Sequence, residues 1–190
     1  MSEIPNEPAS ANRPFTEFLR AHGAADMPHP GGTLLAHLIR VSDRLAEWGV
    51  PLAVQVAGLC HATYGTDGFA PSLLDLADRA ILVELIGEGA EALVYRYASC
   101  DRSATYPRLR GGEQPVFRDR FAGADCQPTG EELRAFLDIT AANELDVFRH
   151  NAELADRHAP AFYRLLESVR ALMSPAAWDA VRGDLGDRAS

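Results

Sequence analysis

"LLAHLIRVSDRLAEWGVPLAVQVAGLCHATYGT", Leu34 to Thr66, is the stretch on which the fold turns. Its first half places Leu34, Leu38, Val41, Leu45 and Trp48 at helical spacing, with Thr33 able to cap the start and Gly49 to end it. Its second half begins with Pro51, a residue suited to the first turn of a helix. From there to Thr63 it is apolar nearly all round, the mark of a central buried helix. The connection at Gly49–Pro51 is very short, and short connections make antiparallel neighbours. With a rise of about 1.5 Å per residue, His37 and His61 fall at similar heights on this hairpin and face each other across it.

Two imidazoles at matched depth among apolar neighbours are costly unless something satisfies them. One such partner is a divalent metal, since neutral imidazole suits Zn, Fe and Mn-class ions. The bland alternative is a pair of core histidines bonded to backbone carbonyls or water. Sharing one ion requires ring nitrogens about 3–3.5 Å apart, each near ~2.0–2.2 Å from the ion. His29, from the "HPGG" loop just before the first helix, is placed to be a third ligand or a substrate contact.

Further along, "TAANELD" puts Asn143 and Asp146 three apart, on one face of a long helix. Asn has poor helix propensity, which points to a specific side-chain role for Asn143, as a substrate contact. Asp146 is either a solvated helix residue or the catalytic acid, whose carboxylate would complete a two-His, one-carboxylate set, the pattern of open iron sites. Tyr64, Thr66 and Asp67 crowd the end of the His61 helix. Tyr64 is the candidate to contact substrate or an activated water, and Thr66 to contact substrate. His22, His150 and His158 lie among polar neighbours and read as surface residues.

The remaining chain reads as helices. "PFTEFLRAHG" forms a first one. Ser72–Gly87 and Gly87–Arg102 form two more, broken at a glycine corner. "TGEELRAFLDITAANELDVFRHNAEL" is a long helix with a Thr129/Glu132 capping box. "APAFYRLLESVRALM" and "SPAAWDAVRGDL" complete the set, the last with Ser174 as cap and Pro175 in its first turn. Residues 103–128 lose periodicity and read as a long flap, irregular or with a hairpin around Gly111-Gly112. The class is all-α, with residues 1–13 as a loose tail and 14–190 as one domain.

A chain of 190 residues with 47% apolar content fits one domain with a substantial core. Its net charge of −9 disfavours nucleic acid and an anionic membrane surface. Cys60, Cys100 and Cys126 are odd in number and form no CxxC, which suits a reducing cytoplasm. The first residues lack the basic-then-apolar pattern of a signal peptide. "GEGAE" lacks the context of a phosphate loop, so no nucleotide cofactor is indicated. The arginines of the flap, Arg102 to Arg120, pair with nearby acids or bind an anionic substrate.

The Leu34–Thr66 stretch, "LIGEGAEALVYRY" and "ITAANELD" together resemble the HD-domain superfamily of helical metal proteins. In pattern they are most similar to the guanosine-polyphosphate hydrolase type. The resemblance covers roughly Leu34–Arg102 and resumes at "ITAANELD". His37 and His61 stand at the family's two histidine positions. Ala62 stands where the histidine–aspartate doublet has its acid, Asn143 where the final ligand aspartate falls, and Gly65 and Thr66 where the hydrolases carry an acidic pair. The resemblance implies an HD-like bundle with metal at His37 and His61. It does not carry the hydrolase activity across. Two functions follow as expectations. One is a small metal-dependent enzyme acting on a small molecule, oxidative with iron and hydrolytic with zinc or manganese. The other is a degenerate HD-like module that binds a ligand or partner without catalysis. Either is compatible with a homodimer.

Overall fold

The computed structural model describes residues 13–110 and 115–188. The expected tail falls almost wholly outside them, as does Gly111-Gly112. The chain is all-α: among the described residues nine α-helices carry the fold, with two small antiparallel hairpins beside them.

The hairpin that decides the fold forms as its sequence dictates. Helix α1 (Arg13–Ala21) leads into strands β1 (Pro28–His29) and β2 (Gly32–Thr33), and these into α2 (Leu34–Glu47). Thr33 caps α2 by accepting from the Ala36 N–H at 3.2 Å. Gly49, at φ 69°, turns the chain. Helix α3 (Leu52–Cys60) then runs back along α2. The two lie close because Gly58 has no side chain: a Cβ there would run into Leu45 Cδ1. Leu38, Val41 and Leu45 of α2 are buried with Ala57, Leu59 and Cys60 of α3.

Helices α4 (Arg79–Ile86) and α5 (Glu88–Ser99) meet at Gly87, at φ 83°. The first starts later than its sequence pattern implies. Asp75 caps a single 3-10 turn at Leu76–Asp78, and α4 proper follows. The expected irregular flap is more ordered than its sequence suggests. Asp101 caps α6 (Arg102–Leu109) by accepting from Ala104 N at 2.9 Å. Pro107 lies inside this short helix and interrupts any apolar stripe. A hairpin does follow, but it joins β3 (Phe117–Asp119) to β4 (Ala124–Cys126) and turns at Gly123, φ 64°. The Thr105 hydroxyl accepts from Arg118 N at 3.0 Å and ties the hairpin to α6.

The capping box at Thr129 and Glu132 starts α7 (Gly130–His150) as expected. The next break differs from the sequence reading. The chain leaves α7 at Asn151, whose side chain accepts from Leu154 N at 3.0 Å and opens α8 (Ala152–Ser168). Pro160, read as a helix start, sits inside α8. Ser174 and Pro175 open α9 (Pro175–Leu185). Helix α7 is the axis: α2, α5, α8 and α9 all pack on it. Among the described residues no helix is long and apolar enough to cross a membrane.

Candidate functional site

The α2–α3 hairpin does bring the two histidines together. Their ring centroids are 5.4 Å apart, edge to face, and both side chains are buried. His61 follows the last turn of α3, and its Nδ1 donates to the Gly58 carbonyl at 2.7 Å. That bond fixes the ring, leaving Nε2 without a hydrogen-bond partner among the described residues. Tyr97 of α5 packs its ring 5.0 Å from the His61 ring. His29 of β1 stacks on His37 at 4.0 Å, and Phe69 closes over His29 at 5.6 Å. The His29 Nδ1 is buried with no partner among the described residues. Gly31 permits this arrangement, since a Cβ there would strike the His150 ring and the Arg40 guanidinium.

Helix α7 supplies the acids. His37 Nδ1 donates to Asp146 Oδ2 at 2.7 Å. Arg40, one turn along α2, holds the same carboxylate in a fork: Nε to Oδ1 at 2.7 Å and Nη2 to Oδ2 at 2.8 Å. On the other side, His37 Nε2 meets Asn143 Oδ1 at 3.0 Å. The Asn143 amide donates in turn to Glu144 Oε1 at 3.2 Å, so its oxygen must face His37. Acceptor oxygens thus face both ring nitrogens of His37. Glu144 also accepts from Arg102 Nη1 at 3.0 Å, and Arg102 Nη2 reaches the Tyr97 hydroxyl at 3.2 Å. The result is one hydrogen-bonded chain, Arg40–Asp146–His37–Asn143–Glu144–Arg102–Tyr97, with an arginine–carboxylate pair towards each end.

The electrostatics follow from this packing. Burial alone would push the Asp146 carboxyl up, but the bonds from His37 and Arg40 reverse that and hold it well below the usual carboxylate range. Burial, reinforced by the neighbouring His37, lowers His29 to about 4 and His61 to about 3. Both are therefore neutral imidazoles near neutral pH.

Most of the expected site converges here. His29, His37, His61, Asn143 and Asp146 form one cluster. Tyr64 and Thr66 are used elsewhere. The Tyr64 hydroxyl donates to Glu91 at 2.8 Å, and Arg79 grips the same carboxylate with two bonds at 2.7 Å. Burial, then that bond to Glu91, raises the phenol above its ordinary range, so Tyr64 is poorly suited to give up its proton. Thr66 pairs its backbone with Phe69 in a tight turn. Arg40, Glu144, Tyr97 and Phe69 complete the site without having been picked out as site residues, and Arg102, read as pairing with an acid or binding an anion, pairs with Glu144. Arg40 had a signal: it lies three residues after His37, on the same face of α2.

A metal at His37 and His61 needs open nitrogens, and this arrangement does not provide them. Both nitrogens of His37 and both oxygens of Asp146 are engaged by protein groups. Among the described residues no group of three or more His, Cys, Asp or Glu is disposed to hold a metal ion. Catalytic zinc sites use three protein ligands. Within this cluster, among the described residues, only His29 and His61 keep ring nitrogens without a protein hydrogen bond, two residues where three are needed, so the donors as arranged do not fit a divalent ion.

Residues 18–102 are similar to a family described as Domain of unknown function (DUF6817). That span runs from α1 to the start of α6. It contains His29, His37, Arg40, His61 and Arg102, while Asn143, Glu144 and Asp146 lie beyond it. No curated protein matches the chain.

Proposed function

We propose that this chain is an HD-like helical module that binds a small molecule, with a chain of protein charges where its metal-binding look-alikes carry an ion. One observation carries the reading: the Arg40 guanidinium sits in a fork on Asp146, and His37 is bonded at both nitrogens. In this reading Arg40 takes the place of the cation. A guanidinium compensates the acid and, unlike a metal, offers no open coordination position. The three free cysteines are in keeping with a reducing compartment such as the cytoplasm.

Elemental analysis of the full chain, purified without chelator, tests this. The expected result is substoichiometric metal, unchanged in a His37→Ala, His61→Ala double variant. Stoichiometric iron, manganese or zinc that disappears in that variant would overturn it. Such a result would support the second reading, a metal-dependent enzyme on a small molecule. That reading is favoured by one observation, the unbonded ring nitrogens of His29 and His61, two imidazoles that pack on either side of His37.

A further inference from the structure

A cavity of about 800 Å³ opens between α6, α7 and α8, lined by Arg102, Arg110 and Tyr106 together with the apolar side chains of Phe148, Phe162 and Leu165. Its size falls within the range of small-molecule sites. Its chemistry is divided. One part is apolar and aromatic. The other carries two guanidiniums and a tyrosine whose hydroxyl is buried with no hydrogen-bond partner among the described residues. Glu144 also borders the cavity, but its carboxylate is compensated by Arg102 and by the Asn143 amide. With Arg102 paired to Glu144, the net positive charge of the lining is that of Arg110, inside a chain of net charge −9. Net charge gives an anion no long-range attraction to such a protein, so a preference for one has to come from the guanidiniums beside the apolar cavity.

We propose that this cavity binds an amphipathic small molecule with a single anionic head, a carboxylate or a phosphate monoester. Its apolar body lies on Phe148, Phe162 and Leu165, and its head faces Arg102, Arg110 and the Tyr106 hydroxyl. The proposal deepens the small-molecule reading above by giving its site and ligand class. The site also touches the histidine centre through covalent and hydrogen-bonded neighbours: Arg102 and Glu144 border the cavity and form the far end of the charge chain.

Calorimetric titration with decanoate, decyl phosphate, decanol and decyltrimethylammonium, each below its micelle concentration, tests it on the full chain. One or both anions should bind saturably at one per chain, about tenfold or more tighter than decanol, the scale of one charge-assisted contact. Which anion binds more tightly identifies the head group. Ala161→Trp places a ring in the cavity from an exposed position on its wall and should abolish binding without lowering thermal stability. Arg110→Gln, also exposed, should bring the anions close to the affinity of decanol. Decanol binding as tightly as both anions, binding that survives Ala161→Trp, or no saturable binding at all overturns the proposal. Metal content measured on the same sample separates the two failures. Metal-free protein that ignores both anions sinks this inference alone, and stoichiometric metal sinks the reading beneath it.

Discussion

Replacing Asp146 by Asn probes the charge chain at its most heavily bonded member. The substitution keeps the shape and removes the charge. It leaves His37, whose side chain is 1% exposed, and Arg40, at 30%, without their shared carboxylate. Removing one partner of a buried ion pair costs about 3–5 kcal/mol, because the remaining charge is stranded. For a chain of 190 residues, each kcal/mol shifts the midpoint by about 2–4 °C, so Tm should fall by about 6–20 °C at pH 7. Arg40→Gln should cost less, about 1–2 kcal/mol, since solvent screens the partly exposed guanidinium. The two substitutions should not add, with a coupling of about 0.5–3 kcal/mol in the double-variant cycle. The carboxyl is held below its ordinary range when folded, so its contribution is present above the ordinary carboxylate pKa and is lost as pH falls below it. Asp146→Asn should therefore flatten the acid limb of a stability–pH curve. Scanning calorimetry reads the midpoint. A Tm within about 2 °C of the parent, or strict additivity, would mean that the hydrogen-bonded chain does not hold the fold and that Arg40 is no stand-in for a cation.

Acidification should weaken the fold well before carboxylates titrate. His29 and His61 are lowered from 6.5 to about 4 and about 3, so below pH 6.5 the unfolded chain takes up protons that the native one refuses. Stability should fall as pH drops from 6.5 towards 4, by up to about 2.7 kcal/mol per unit for the two groups. Urea midpoints would show it, and a flat or rising profile would contradict it. Gly58→Ala should destabilise by about 1–3 kcal/mol through collision with Leu45, and Leu45→Ala should then cost less in that background than in the parent. Tyr64→Phe should cost about 1 kcal/mol, because Glu91 keeps its two bonds to Arg79, and should leave decanoate affinity unchanged. A tenfold loss of affinity would place Tyr64 at the binding site after all.

The α2–α3 hairpin was legible because every local cue agreed: cap, stripe, glycine stop, proline start. The convergence of His29, His37 and His61 followed from that hairpin and the loop before it. Asn143 and Asp146 were visible as a pair, yet their role was not, because it depends on which neighbour reaches them first. Arg40 was hidden by its type. An arginine beside an apolar stripe reads as a solvated edge until a carboxylate more than a hundred residues away is known to meet it. Tyr64 misled for the converse reason. Its nearness in sequence to His61 suggested a shared cavity, but the turn after α3 gives its hydroxyl to Glu91. The break at Asn151 was missed because Pro160 is the louder signal, and that proline is accommodated inside α8.

The His37–Asp146 bond joins residues 109 apart in the chain. Helices α2 and α3 are joined by a short turn, whereas the Asp146 carboxylate reaches His37 only once α7 has packed on α2. Contacts of such long separation form late, once the entropy of closing the intervening chain has been met. The polar centre is thus the part of the molecule that the folding chain completes near the end. Its loss in Asp146→Asn should appear chiefly as faster unfolding, with the refolding rate little changed.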